Sequence, residues 1–513
     1  MNNPDLKRMN EQLTKNKVQA AMSAIEAVKP TLEPSDFSDI GQAKILIGQS
    51  GEWMRFSKAT LWLVYNGKKW EESELEAQKI AQKLTEEQLI ESRKCVTAAS
   101  LMYALAKETG DALKESEAKQ AVMKADAYHR FVIGRRKSSA ISSTLTAAAP
   151  SLQVKVEDLD SDAFMLNVPT GTINLVTGEL RQHDPHDLCT KICAASPSEE
   201  GKEFFSAFLE QITSGDKELE NYLQQIAGMF SIGAVYRECL IIATGGGGNG
   251  KSTFFNLLAK VLGDYAGSMS SEVLTANCRK NKSPEYAELR GKRLVLAAEL
   301  EEGMRLDTAT VKRLCSTDDV QAEKKFRDPF SFKPSHSIVL FTNFLPKVGT
   351  SDDGTWSRLV VVPFNAKFRG TKEEVLNYAE FLYEKAGGAV LSWMVEGASV
   401  FIRNRFKIEM PPCVKAAVDA YRADNDWLTA FLTECCVKTV NEQPSGELYE
   451  KYSAFCDHNG EYKRSATEFK KSMINAGYTY SRTKRGWVVH GLKVKPYGFS
   501  TTNEQTPWDF TAN

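Results

Sequence analysis

The sequence predicts a mixed α/β protein built around a three-layer α/β domain, with an α+β domain before it and a helical domain after it. Apolar, strand-like runs alternate with helical segments between residues 237 and 365, as when helices cover both faces of a mostly parallel sheet. Long Ala/Glu/Lys/Leu stretches with helical spacing precede this region. The pair Pro411 and Pro412 follows it and indicates a linker.

The composition is that of a folded chain. Of its 513 residues, 42% are hydrophobic and 10% aromatic, which excludes a disordered or fibrous chain. With Lys+Arg 65 and Asp+Glu 66 the net charge is -1, so nucleic-acid binding would require locally clustered charge. No apolar run approaches the roughly 18 residues of a membrane span, and the start lacks the apolar core of a signal peptide. The 10 cysteines form no repeating framework, so we expect a cytoplasmic protein with no membrane partner.

Turn signals and composition divide the chain into five segments. In the second segment (46–200), Asn66-Gly67 predicts a hairpin turn, and residues 163–195 read as short strands. The last reads as helices followed by a basic hairpin. The predicted segments are a polar extension (1–45), an α+β domain (46–200), a helical collar or linker (201–236), the α/β domain (237–410) and the C-terminal domain (411–513).

The strongest motif is a glycine-rich loop that fits G-x-x-x-x-G-K-[ST]. Glycines let backbone N–H groups cradle phosphates, Lys251 would reach the β- and γ-phosphates, and the Ser252 hydroxyl would bind Mg²⁺. A strand-like run leads into the loop and a helical run leaves it, which favours a nucleotide site over a glycine-rich turn with an incidental lysine. The predicted nucleotide-binding residues are Gly245, Gly246, Gly247, Gly248, Asn249, Gly250, Lys251, Ser252 and Thr253.

An acidic residue follows the apolar run 294–298, where a hydrolase needs a carboxylate to hold Mg²⁺ and polarise water. This residue is Glu299, and Glu301 lies two positions later. Taken alone, the run can equally be a helix with a solvated acidic face. Both glutamates are therefore candidate metal ligands.

Two further residues have the positions expected of a hydrolytic site. Asn343 directly follows the strand-like run 337–342, a position from which an amide can orient the attacking water. An ordinary turn asparagine fits the same place. Arg358 precedes the apolar run 359–363. An arginine there can stabilise transition-state charge, including across a subunit boundary.

Taken together, the loop, Glu299, Asn343 and Arg358 resemble the motifs of superfamily 3 helicases, which are hexameric AAA+ ATPases of small viruses, phages and plasmids. The chain is similar to the phage/plasmid primase-helicase family of the satellite-phage type and to the poxvirus primase-helicase. Residues 166–185 resemble the segment that precedes the helicase domain in that family, and residues 414–436 with the following helices resemble its C-terminal winged helix.

The resemblance implies an AAA+ P-loop ATPase domain, an N-terminal helicase-associated domain, a C-terminal winged helix, and ATP and Mg²⁺ as cofactors. It assigns nucleotide binding to Lys251, the metal and water to Glu299, the sensor role to Asn343 and the arginine finger to Arg358. Family members often carry two arginines after the tryptophan, whereas only one follows here. Which glutamate activates water stays open.

Two basic segments are candidate DNA contacts. In this family, a hairpin between the acidic and sensor strands faces the ring channel, where cations contact phosphate and an aromatic side chain contacts sugar or base. Without the resemblance, the same residues would be a solvated charged turn. Residues 463–495 form a second basic patch, which fits a duplex-binding wing, a protein-docking face or a solvated surface. The candidates are Lys324, Lys325, Phe326 and Arg327 in the hairpin, and Lys484 and Arg485 in the patch.

We therefore expect an ATP-dependent DNA helicase of a phage, plasmid or other mobile element, acting in replication initiation as a homo-oligomeric ring, expected to be a hexamer. Single-stranded DNA would pass through the channel, and duplex DNA would bind the winged helix. No primase domain is recognised, so a separate primase or other replication proteins are expected partners. The alternatives are a non-unwinding DNA-binding AAA+ ring (origin recognition, loader or defence) and a P-loop enzyme of another type.

Overall fold

The structure is a computed structural model of the chain. It describes residues 30–276, 278, 283–323, 329–349, 352–368, 370, 375–459, 462–484 and 486–496. Five of the predicted DNA-contacting residues, Lys324, Lys325, Phe326, Arg327 and Arg485, lie outside the described residues.

The N-terminal region combines a small antiparallel sheet with long helices. Residues 66–69 close the predicted hairpin, and the Asn66 N–H donates to the Lys69 carbonyl at 3.0 Å. The predicted helical stretches at residues 72–95 and 98–106 form one helix, which Ser73 caps and Gly110 ends at a φ of 65°. The elements are α1 (Asp39–Ser50), β1 (Met54–Ser57), β2 (Leu61–Tyr65), β3 (Trp70–Glu72), α2 (Glu74–Thr109), α3 (Ala112–Arg135) and α4 (Ser138–Ala148).

Short strands follow, as the sequence predicts for residues 163–195. They form a three-stranded antiparallel sheet in the order β4-β5-β6. Two amphipathic helices then lead into the central domain. These elements are β4 (Met165–Val168), β5 (Gly171–Asn174), β6 (Leu180–Arg181), α5 (Lys202–Thr213) and α6 (Lys217–Met229).

The centre of the molecule is a five-stranded parallel sheet in the order β13-β7-β12-β9-β8. A two-stranded antiparallel pair, β10 with β11, lies between β9 and β12 in the chain, where the resemblance implies a hairpin. The strands are β7 (Leu240–Thr244), β8 (Ala266–Ser270), β9 (Leu294–Ala298), β10 (Val320–Ala322), β11 (Phe330–Phe332), β12 (Ser337–Thr342) and β13 (Leu359–Pro363). The helices are α7 (Lys251–Leu262), α8 (Ser283–Ala287), α9 (Thr308–Leu314), α10 (Asp353–Trp356) and α11 (Tyr378–Arg403).

Successive side chains of the central strands enter two different cores, because side chains alternate across a sheet. In β7, Ile241 and Ala243 pack with helices α5, α6, α7 and α11, whereas Leu240 and Ile242 pack with α8 and α9 on the other face. Both faces of the sheet are covered, as is usual for parallel sheets. The predicted mixed α/β fold with a parallel sheet is confirmed.

The C-terminal region begins with a helix that packs on the central domain. Helix α12 (Pro412–Asp424) contributes Val414 to one core and Tyr421 to the other. The prolines at 411 and 412 therefore start a helix, and the α/β unit continues past the predicted boundary at residue 410.

The last part of the chain packs helices against a three-stranded antiparallel sheet in the order β14-β16-β15. The predicted hairpin is present, but strand β14 was not predicted, because its mostly exposed residues show no apolar alternation. Within the described residues, no helix is long and apolar enough to cross a membrane. The elements are α13 (Trp427–Cys435), β14 (Cys436–Pro444), α14 (Ser445–Asn459), α15 (Ala466–Asn475), β15 (Tyr480–Thr483) and β16 (Gly486–Val494).

Candidate functional site

The glycine-rich loop joins the carboxyl end of β7 to the start of α7. Gly250, immediately before the helix, has a φ of 82°, a left-handed conformation that favours glycine. A β-carbon there would lie 2.5 Å from the Ile212 methyl group, and one at Gly245 would lie 2.4 Å from the Phe364 carbonyl oxygen. The backbone conformation and the close packing both require glycine.

Lys251 is held at the mouth of this loop by two neutral oxygens. Its Nζ donates to the Gly245 carbonyl at 2.9 Å and to Oδ1 of Asn343 at 2.7 Å. The residue is 6% exposed, and burial lowers the pKa of Lys251, partly opposed by the charge of Glu299. No carboxylate in the described part of the chain forms an ion pair with this ammonium group, so an anionic ligand would satisfy it better than its present partners do.

Strand register brings the predicted residues to one edge of the sheet. Phe341 of β12 lies opposite Ala298 of β9 and also opposite Ala243 of β7. Asn343 therefore follows the strand next to β7, and Glu299 follows the strand beyond it. Parallel strands end together at the same edge, where ligands of such sheets bind.

The geometry treats the two glutamates differently. The Glu299 backbone has a φ of 49°, its N–H donates to the Phe341 carbonyl at 3.0 Å, and its carbonyl accepts from the Ser271 hydroxyl at 2.8 Å. Its side chain is exposed, as is that of Glu301. Of the two, Glu299 directly follows β9, and its charge partly opposes the lowering of the Lys251 pKa.

The donors at this edge fit Mg²⁺. The Ser252 hydroxyl and the Glu299 carboxylate are exposed oxygen donors, of the kind Mg²⁺ prefers. Among the described residues, no three His, Cys, Asp or Glu side chains form a metal-binding group. Mg²⁺ in nucleotide sites usually takes one or two protein oxygens, and these two donors are the ones that would hold it.

A cleft of about 190 Å³ lies beside the loop and has an aromatic lining. The Phe368 N–H donates to the Gly248 carbonyl at 2.9 Å, and the rings of Phe208 and Tyr378 meet edge to face at 5.5 Å. The sequence analysis did not identify these residues, because they come from α5, α11 and the segment after β13. The lining suits a flat, apolar group such as a nucleobase.

Arg358 lies at the opposite edge of the sheet from Lys251. It precedes Leu359, which pairs with Leu240 at the start of β7, whereas the glycine-rich loop follows the end of that strand. The five residues of β7 separate the two edges by roughly 16 Å at about 3.3 Å per residue. The Arg358 guanidinium donates to the Glu238 carboxylate and, at 2.7 Å, to the Gly354 carbonyl.

Lys484 is exposed at the turn between β15 and β16, far along the chain from the loop. Close to this hairpin, the Lys470 ammonium lies 3.7 Å from the centroid of the Trp487 ring. That tryptophan is 49% exposed. The basic hairpin therefore presents both charge and an aromatic ring to solvent.

Three family models match the chain. They are described as D5 N terminal like (residues 43–214), a family of unknown function, DUF5906 (residues 243–358), and Poxvirus D5 protein-like (residues 423–513). A protein of Acanthamoeba polyphaga mimivirus, named as a helicase, is 30% identical over 357 residues, which are 66% of this chain and 36% of that protein. The chain belongs to a family of phage and viral primase-helicases.

Other proteins are similar to the chain at lower identity. A protein of African swine fever virus (strain Badajoz 1971 Vero-adapted), named as a primase, is 24% identical over 59% of this chain and 34% of its own length. The chain thus spans about a third of each of these two relatives. The C-terminal region of NrS-1 is similar at 14% identity, with a TM-score of 0.38, over 59% of this chain and 78% of that one.

Proposed function

We propose that the chain is an ATP-dependent and Mg²⁺-dependent DNA helicase of a mobile element, acting as a hexameric ring in replication initiation. The contact between Lys251 Nζ and Asn343 Oδ1, 2.7 Å long, carries this proposal. It joins the glycine-rich loop to the candidate sensor at the carboxyl edge of the sheet, with Glu299 following the next strand. Membership of the primase-helicase family supports DNA as the substrate.

The residues at the carboxyl edge of the central sheet would have different roles in ATP hydrolysis. Lys251 would exchange its two neutral acceptors for oxygens of the β- and γ-phosphates. Asn343, once released from the lysine, would be able to orient the attacking water, and Glu299 would polarise it. Mg²⁺, held by Ser252 and Glu299, would neutralise phosphate charge. The aromatic cleft would hold the base.

In a ring, a neighbouring subunit would supply the positive charge that the nucleotide site still lacks. Since Arg358 lies at the far edge of its own sheet, we infer that it acts on nucleotide bound by another copy of the chain. To do so, it would have to leave the Glu238 carboxylate. The nucleotide site would therefore be complete only where two subunits of the ring meet.

DNA contacts would come from two places. The hairpin residues Lys325 and Phe326 lie in the sequence between β10 and β11, and we assign them to the single strand in the channel. We interpret the C-terminal helices and sheet as a winged helix, with Lys484 and Trp487 on the face that would contact duplex DNA.

The test compares ATP turnover and strand displacement in wild type, Lys251→Ala and Lys260→Ala. Lys260 is the matched control, since it lies on the same helix but pairs with Glu380. We expect Lys251→Ala to abolish both activities, because a γ-phosphate contact is lost, and Lys260→Ala to keep them. Near-normal turnover by folded Lys251→Ala would contradict the site.

Wild-type behaviour separates the alternatives. DNA-stimulated turnover without displacement of a forked strand would indicate a non-unwinding ring. ATP turnover that responds to a metabolite and not to DNA would indicate a P-loop enzyme of another type.

A further inference from the structure

A second cavity, of about 470 Å³, lies between the central domain and the C-terminal helices. One wall is the segment 345–349, which follows Asn343. The other comes from Trp427, Tyr462 and Arg464, and Arg305 also lines it. We refer to it as the seam cavity.

Arg464 is a buried cation of this cavity, with an exposed fraction of 7%. Its guanidinium donates to the Gly349 carbonyl at 3.2 Å, to the Tyr462 carbonyl at 3.3 Å and to the Tyr452 hydroxyl at 3.5 Å. It also lies over the Trp427 ring, 4.1 Å from the centroid. All these partners are electrically neutral, so the buried charge has no counter-ion among them.

Arg305 brings a second guanidinium to the same place. It lies 4.1 Å from the centroid of the Tyr462 ring, and its Nη2 donates weakly to the Gly349 carbonyl at 3.5 Å. Its Nε is buried and has no hydrogen-bond partner. A β-carbon at Gly349 would lie 1.9 Å from this guanidinium, so a larger residue at position 349 would displace the arginine.

Acidic groups lie nearby, including Asp352, Asp426 and Glu468 in the adjoining cleft that both arginines also line. No carboxylate in the described ranges forms an ion pair with Arg305 or Arg464. Glu468 feels the charge of both arginines, but its carboxylate accepts from the backbone and the hydroxyl of Ser465 at 3.0 Å, as a helix cap. The lining contains Asp424 as its single described acid, against three basic residues.

We propose that the seam cavity binds a small phosphate-bearing ligand at a site separate from the glycine-rich loop. Guanidinium groups bind phosphate oxygens through paired N–H donors, and two of them converge here with one donor unused. The cavity is bounded by the segment that links Asn343 to Arg358, so a ligand there contacts the connection between the two edges of the sheet. This proposal does not depend on helicase activity.

The test is calorimetric titration of the full chain with inorganic pyrophosphate, in a Lys251→Ala background that weakens the first site. We expect saturable binding that becomes at least tenfold weaker with Arg464→Gln or with Arg305→Gln. Arg422→Gln is the matched control, because Arg422 already pairs with Asp353 and lies outside the lining of the seam cavity; it should bind as the parent does. Thermal unfolding checks the fold of each variant. Because Arg305 is only half-buried, Arg305→Gln still tests the proposal if Arg464→Gln does not fold.

Absence of saturable binding in the Lys251→Ala chain, or equal affinity in all four proteins, would overturn the proposal. A parallel titration with ADP identifies the source of the phosphate: tighter binding than pyrophosphate indicates a nucleotide, and equal binding indicates a free phosphate anion. If a short single-stranded oligonucleotide binds through Arg464 and neither small ligand does, the site belongs to nucleic acid and the proposal is wrong.

Discussion

The Arg358 guanidinium donates to the Glu238 carboxylate at the amino edge of the central sheet. Both residues precede strands that pair with each other, since the Leu240 N–H donates to the Arg358 carbonyl. Lys251 lies at the carboxyl edge, one full strand away. At this distance, the Arg358 guanidinium is too far from the glycine-rich loop of the same chain to contact a group bound there.

We expect Arg358→Ala and Lys251→Ala to be inactive separately and to regain ATP turnover when mixed. A mixed interface can pair an intact loop from one chain with an intact arginine from the other. Turnover at each mixing ratio is the measurement, with subunit exchange verified by a fluorescent label. Turnover that stays at the level of the single variants, despite exchange, would show that Arg358 does not act in trans.

Gly250→Ala should destabilise the loop and weaken nucleotide binding. A left-handed non-glycine residue costs about 1–3 kcal/mol, and the new methyl group would collide with Ile212. Thermal unfolding and ADP affinity measure the effect. Gly246→Ala is the control for stability, because a β-carbon there meets no atom within 4 Å; if both variants unfold at the same temperature, the packing argument fails.

His336 should make stability depend on pH. Burial lowers the pKa of His336 from 6.5 to about 4. Between these two pH values, His336 is protonated in the unfolded chain and neutral in the folded chain. The contribution is complete above pH 6.5 and is lost as the pH falls toward 4, by about 3 kcal/mol of unfolding free energy in total. Urea unfolding at several pH values measures it. His336→Phe should lack this part of the acid sensitivity, and an unchanged pH profile would refute the assignment.

The double variant Lys325→Ala, Phe326→Ala should keep basal ATP hydrolysis and ring assembly but lose DNA stimulation and strand displacement. Base–aromatic stacking is worth about 1–3 kcal/mol, so single-strand affinity should fall roughly tenfold or more. ATPase assays with and without single-stranded DNA, together with fork unwinding, measure this. Duplex binding through the C-terminal patch is the internal control. Normal unwinding, or loss of basal hydrolysis, would reject the assignment.

Local sequence patterns were sufficient to predict the strands that build the site. The apolar runs before Gly245, Glu299 and Asn343 each form a strand of the parallel sheet, because buried strands require continuous apolar residues. Their common edge follows from parallel pairing. The predicted cluster of Lys251, Glu299 and Asn343 therefore follows from the order and direction of the strands. The spacing of the motifs in the sequence suggested the same cluster.

Features that depend on distant contacts were not predictable in this way. Phe208 and Tyr378 meet only after two helices pack together, and no local motif marks either residue. The partner of Arg358 is likewise determined by strand pairing. Strand β14 is held by backbone bonds to β16 rather than by an apolar face, so its sequence carries no strand pattern.

The strand order has a consequence for biosynthesis. Strand β7 sits between β12 and β13, both of which leave the ribosome after it, and β13 begins at Leu359. At 5–20 residues per second, the nascent β7 waits on the order of ten seconds for its last neighbour. Throughout that interval, its apolar edge is open to mispairing with other nascent chains. The glycine-rich loop is thus translated before the strands that complete its packing, which gives chaperones a defined interval in which to bind this segment.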